Sequence, residues 1–196
     1  GTNTVTILVE GPNNNGSFRN VNFVDLDKVV LPPTHPISPE YDDSNWRVVD
    51  APHDYIVEGK IENRGGDGYS RVPAIYRKVL KKPEVPPGGR VWLEFDGVYR
   101  MSNYWLNGKH IDVHPGGFVM NRIDVTDELK DGDNSLVVTV NPGVSESGYD
   151  GAGIYRPARM VVVAPVHVAA DSLFVTSSIP DPKDGVTAPE IGRAHV

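Results

Sequence analysis

The sequence predicts an all-β protein, a sandwich of two antiparallel sheets. Short runs rich in Val, Tyr, Trp and Thr alternate apolar and polar residues, the period of a strand with one face on a core. Clusters of Gly, Pro, Asn and Asp separate these runs, and no long stretch carries the 3.6-residue apolar period of a helix. The composition is that of a globular domain: 196 residues are 39% hydrophobic, and 20 Gly with 17 Pro stay below the level of low-complexity disorder.

In chain order the strands fall at 5–9, 75–80, 90–95, 101–106, 109–113, 118–123, 135–140 and 160–164. In 90–95, Val91, Leu93 and Phe95 share one face, and Trp92 and Glu94 share the other, as expected of a sheet with one buried and one partly solvated side. Asn107-Gly108 lies between two β-patterned runs and predicts a type I′ hairpin turn, because both residues tolerate φ > 0. Thr126-Asp127-Glu128-Leu129 reads as one helical turn with Thr126 as its N-cap. Asp131-Gly132-Asp133-Asn134 then turns the chain into the next strand. Segments 29–41 and 59–73, rich in Pro, Gly and charge, read as long surface loops. After Pro165 the strand pattern fades, and residues from about 170 onward are expected to be extended or disordered.

Charge and composition narrow the partners. With 26 Asp+Glu against 19 Lys+Arg, a net charge of −7 argues against nucleic acid or an anionic membrane surface. No run reaches the roughly 18 apolar residues of a membrane span. Gly1-Thr2-Asn3-Thr4 lacks the basic and apolar regions of a signal peptide, and the missing initiator Met fits a processed form or a piece of a longer protein. The absence of cysteine excludes disulfides, thiolate nucleophiles and Cys-based metal clusters.

Motif chemistry is sparse. His110 and His114 share a strand face but stand about 13 Å apart, too far for one metal ion, so neither a metal nor a cofactor is expected. Asp42-Asp43 and Asp131/Asp133 read as turn residues satisfying local amides. There is no G-x-S-x-G elbow, P-loop or dinucleotide fingerprint. Arg64-Gly65-Gly66-Asp67-Gly68 precedes no helix and reads as a loop, not a phosphate cradle. Trp46 and Trp105 could stack on a sugar ring but read first as packing residues. Asn15-Gly16-Ser17 matches the glycosylation acceptor pattern, a short pattern that also arises by chance.

The motifs, taken together and in order, carry a resemblance. The stretch from Tyr41-Asp42-Asp43-Ser44-Asn45-Trp46 through Ala51-Pro52-His53-Asp54 resembles the D-D-x-x-W…L-P-H-D-W segment of the N-terminal sugar-binding domain of family 2 glycoside hydrolases. Ile75-Tyr76-Arg77-Lys78, Phe95-Asp96-Gly97-Val98-Tyr99-Arg100 and Tyr104-Trp105-Leu106-Asn107-Gly108 with His114-Pro115-Gly116-Gly117-Phe118 resemble its following strands and turns. Asp124-Val125-Thr126-Asp127 and Gly151-Ala152-Gly153-Ile154-Tyr155-Arg156 resemble its D-I-T-D turn and closing G-A-G-I-Y-R. The Pro52-His53-Asp54 and 151–156 blocks favour the β-galactosidase-like branch over β-glucuronidases and β-mannosidases.

The resemblance implies a galactose-binding-like jelly roll, then an immunoglobulin-like domain, then a (β/α)8 barrel bearing two catalytic glutamates. On that basis 1–40 is a lead and loop joining the sandwich, 41–165 is the jelly-roll core, and 166–189 is the truncated start of the immunoglobulin-like domain. Residues 190–196 resemble a translated sequencing adapter and are set aside. No catalytic residue is expected in this chain, which alone should be inactive, because a retaining glycosidase draws both carboxyls from the barrel. The partners implied are a carbohydrate substrate reached through the parent enzyme, the two further domains, and another copy of the parent in a homo-oligomer. The loop 144–150 is where relatives place a substrate-contacting residue; Ser147 stands where Asp or Arg is usual, and Glu146, Tyr149 and Asp150 are its neighbours. His53 and Asp54 could line the same region, although a hydrogen-bonded turn after Pro52 is their first reading. The alternative is a free-standing carbohydrate-binding module or lectin, since a sandwich alone does not decide function; a purely structural packing domain is a third reading.

Overall fold

The computed structural model describes residues 31–58, 72–143 and 150–176. Among them are seven strands: β1 (Ala74–Lys81), β2 (Arg90–Phe95), β3 (Ser102–Leu106), β4 (Lys109–His114), β5 (Asn121–Asp124), β6 (Asp133–Val140) and β7 (Ala158–Val163). They form two antiparallel sheets, one of order β1-β6-β3-β4 and one of order β5-β2-β7. The predicted run at 5–9 lies outside the described residues.

The core sits between the sheets and follows the alternation of the sequence. Val91, Leu93 and Phe95 of β2 are buried, as are Tyr104 and Leu106 of β3 and Leu136, Val138 and Val140 of β6. The Phe95 and Tyr104 rings meet at 4.9 Å, and the Tyr104 hydroxyl is paired with Ser102 Oγ at 3.0 Å, so the buried phenol keeps a partner. The hairpin turn is as predicted: Asn107 and Gly108 have φ of 54° and 82°. Asn107 also accepts from Ser135 N at 3.1 Å and donates to Asn134 Oδ1 at 2.9 Å, tying the turn to β6.

The described structure departs from expectation in particular places. Strand β5 begins at Asn121, not at residue 118; Phe118, Val119 and Met120 precede it as exposed residues of a bend, because Gly116-Gly117 turns the chain first. Met101 lies outside β3, with φ of 48°. Thr126 does not cap the 126–129 turn: its hydroxyl accepts from Val91 N at 2.9 Å, and Asp124 Oδ1 takes Thr126 N at 3.0 Å. Glu94, expected on a partly solvated face, is buried between Arg122 Nε at 2.6 Å and Arg159 Nε at 2.8 Å. Two guanidinium partners offset the cost of removing that carboxylate from water.

Segment 31–46 covers the outer face of the four-stranded sheet. Arg77 of β1 organises it, donating to Pro36 O at 2.5 Å and Ser38 O at 3.0 Å, pairing with Asp43 at 2.9 Å and lying over the Tyr41 ring. Trp46 packs edge-on against Tyr41 at 5.5 Å, and Trp105 against His110 at 5.1 Å, in keeping with packing roles for both indoles. No strand is present at 164–176.

Candidate functional site

The register of the strands decides which loops meet. Phe95, at the end of β2, pairs with Asn121 and Ala158, at the starts of β5 and β7. Ala74, which starts β1, pairs with Val140, which ends β6, and Ser102 pairs with His114. The loops before β1, β3, β5 and β7 and after β2, β4 and β6 therefore open at the same end of the sandwich. His53, Asp54 and Asp150 all belong to this end; Glu146, Ser147 and Tyr149 lie outside the described residues.

Hydrogen bonds fix the segment 51–58 onto the 150–156 block. His53 N donates to Ile154 O at 2.7 Å and Tyr55 N to Ala152 O at 3.3 Å. The Asp54 carboxylate accepts Ile56 N and Ala152 N, each at 3.1 Å, so one acid closes its own turn and holds the neighbouring strand of chain. Gly153 exchanges both backbone hydrogen bonds with Tyr99, at 2.9 and 3.0 Å. Arg100 Nε donates to Pro142 O at 3.0 Å, and its carbonyl accepts Asn141 N at 3.0 Å. Arg100 thus holds residues 141–142, and Asp54 holds Ala152.

A second layer links this segment to β1. His53 Nδ1 pairs with the Tyr76 hydroxyl at 3.0 Å, and His53 Nε2 lies 3.3 Å from Glu58 Oε2. The latter approach is an electrostatic contact; its geometry does not complete a hydrogen bond. Glu58 is also gripped by Arg47 through both guanidinium nitrogens, at 2.5 and 2.9 Å. That bidentate grip, with His53 beside it, holds the Glu58 carboxyl down at about 2. Burial pushes the Tyr76 phenol up to about 12, against a lowering contribution from the Ile154 backbone.

These environments limit the chemistry. A retaining glycosidase needs one carboxyl that can be protonated near neutral pH beside one that is ionised. Glu58 stays ionised, Asp54 is committed to two amides, and Tyr76 stays neutral; what this arrangement does is hold loops in place. Among the described residues no group of three His, Asp or Glu side chains could bind a metal ion. Sequence reasoning missed Glu58, Arg47, Tyr76 and Arg100, whose roles arise from contacts with residues 5 to 42 positions away. Tyr76 and Arg100 do stand inside motifs singled out above, whereas nothing local marks Glu58.

Residues 65–150 match the family model described as glycosyl hydrolase 2 galactose-binding domain-like. The chain belongs to this family. A β-galactosidase of Bacteroides ovatus is 36% identical over 156 residues, covering 76% of this chain and 18% of the relative. A β-glucuronidase of Bacteroides fragilis is 28% identical over 199 residues, covering 93% of this chain and 25% of the relative. A solved β-glycosidase from Bacteroides vulgatus superposes with a TM-score of 0.59 at 32% identity, over 64% of this chain and 17% of that one. The family 2 galactose-binding-like domain thus spans a quarter or less of the length of the relatives it matches. Its sandwich is the part held in common.

Proposed function

We propose that this domain is the non-catalytic N-terminal part of a family 2 β-glycosidase, contributing scaffold and a loop at the rim of the substrate cleft. Its relatives carry both β-galactosidase and β-glucuronidase names. Identities to the β-galactosidases (27% and 36%) and to the β-glucuronidases (25–30%) overlap, so what supports the β-galactosidase-like branch is the Pro52-His53-Asp54 and 151–156 blocks. On this reading the substrate is a β-linked sugar, and the barrel that carries the two carboxyls and the immunoglobulin-like domain are its partners. Residues 41–165 are the sandwich, and 166–189 open the following domain.

The observation that carries the reading is the convergence at one end of the sandwich of the contacts that fix residues 141–142 and 150–156. Glu146, Ser147, Tyr149 and Asp150 would present polar groups to a sugar held elsewhere, while His53 and Asp54 position the loop rather than touch the substrate. The test is a calorimetric titration of the 196-residue chain with galactosides and glucuronides, together with an assay of aryl-β-glycoside hydrolysis. Neither binding nor hydrolysis is expected. Binding at millimolar or better would favour a free-standing carbohydrate-binding module, and hydrolysis would overturn the non-catalytic assignment.

A further inference from the structure

Three charged residues meet on the face of the three-stranded sheet turned away from the core. Glu94 of β2 is gripped by Arg122 of β5 and Arg159 of β7 through their Nε atoms, at 2.6 and 2.8 Å. The Nη1 atoms of the two guanidiniums face carboxylates: that of Arg159 donates to Asp96 Oδ2 at 2.9 Å, and that of Arg122 lies 3.8 Å from Asp171 Oδ2. Both Nη2 atoms converge on one thioether instead, with Met120 Sδ 3.9 Å from Arg122 and 4.0 Å from Arg159. Among the described residues this sulfur is the acceptor that each Nη2 has, and a thioether is a weak acceptor. Two charged donors are thus aimed at a group that uses little of their capacity.

We propose that Met120 is a site of reversible oxidation, and that its sulfoxide oxygen is held by Arg122 and Arg159. A sulfur lone pair attacks one oxygen of a peroxide; the S–O bond forms as the O–O bond breaks, and sulfur gives up two electrons. The departing hydroxide takes the proton from the oxygen now on sulfur and leaves as water. The side chain is open to a small oxidant, since Met120 is 37% exposed. The N···S distances exceed by about 1 Å the roughly 2.9 Å of an N–H···O hydrogen bond, a span that an oxygen added to sulfur fills. A sulfoxide is polar and uncharged, which suits the cluster: Glu94, Asp96 and Asp171 already set their negative charges against the two guanidiniums, so a further anion gains little.

The other methionines lack this arrangement. Met101 is more exposed, at 48%, and Met160 is half-buried against the core, yet among the described residues neither sulfur accepts a hydrogen bond from a guanidinium. Oxidation turns an apolar thioether into a polar group and ordinarily weakens the packing around it. At Met120 two charge-assisted hydrogen bonds more than offset that loss, and the exposed bend Phe118-Val119-Met120 exchanges part of its apolar surface for a polar one. The inference is independent of the glycosidase reading.

The test treats the 196-residue chain and its Met120→Leu variant with hydrogen peroxide in parallel, maps the oxidised methionines by peptide mass spectrometry, and compares melting temperatures by calorimetry. Oxidation of Met101 and Met160 is common to both chains, so the difference between them reports on Met120. Sulfoxide is expected at Met120, and treatment should raise the melting temperature of the unaltered chain, relative to the variant, by about 2 °C or more. Methionine sulfoxide reductase should return it to its starting value. Arg159→Lys, which keeps a positive charge beside Glu94 and removes Nη2, should abolish the rise. The proposal is overturned if Met120 stays unmodified under conditions that oxidise Met101, or if its oxidation lowers the melting temperature or leaves it unchanged.

Discussion

Gly153 holds φ of 111°, a conformation few side chains tolerate, and a Cβ there would lie 2.6 Å from His53 O and collide with the Tyr76 hydroxyl. It is the point where three segments press together, which explains a glycine inside the 151–156 block in physical terms. Gly153→Ala should destabilise the domain by about 2 kcal/mol or more, through backbone strain and the clash together, and lower the melting temperature in a calorimetric scan. An unchanged melting temperature would contradict the packing described. Glu58 makes a different prediction. Its carboxyl is lowered from 4.5 to about 2, first by Arg47 and then by His53. A depressed carboxylate contributes stability that is present above its unfolded value and is lost as pH falls through the folded one. Carbon-detected titration should therefore place the Glu58 midpoint near 2, and Glu58→Gln should remove the corresponding acid dependence between about pH 4.5 and 2. A midpoint at the ordinary glutamate value would mean that the Arg47 and His53 contacts do not persist in solution.

At the scale of elements, local chemistry was legible where it sufficed to decide the outcome. Asn107-Gly108 specified its hairpin because two successive positive φ values suit few other pairs. The structure adds that Asn107 bridges to Asn134 and Ser135 of β6, which no local pattern announces. Asn107→Ala should thus cost more than a turn residue alone, about 2–3 kcal/mol by chemical denaturation, since it loses the turn preference and leaves fully buried Asn134 short of a partner. A loss below about 0.5 kcal/mol, the range of an ordinary surface substitution, would contradict that coupling. Where tertiary contacts competed with local ones, the sequence misled. Thr126 has the residue type and position of an N-cap, yet its hydroxyl is recruited by the β2 backbone. The alternation of β2 placed Glu94 on a wetter face, but arginines from β5 and β7 close over it. The apolar run at 118–123 suggested a strand that the Gly116-Gly117 bend shortens to Asn121–Asp124. A Cβ on Gly117 would collide with the Tyr99 ring, and the Tyr155 hydroxyl holds the Gly117 carbonyl at 2.8 Å, so that bend is fixed from outside.

For the whole molecule, the all-β class and the ordered motifs were readable because alternation and turn chemistry are local, and because the motifs recur in sequence order. The arrangement of loops was not readable. Their meeting at one end depends on strand register, and Glu58, Arg47 and Arg100 join the site through partners 5 to 42 residues away in sequence. Among the described residues Glu58 and Asp54 are committed to guanidinium and amide partners, fixing loop roots and forming no acid–base pair; on the proposed reading, hydrolysis comes from another domain. The most direct test of that central claim is to sequence the native transcript beyond the codon for Pro189. The account predicts an immunoglobulin-like segment followed by a barrel of about 250 residues bearing two glutamates. A stop codon at that point in the native frame would contradict it.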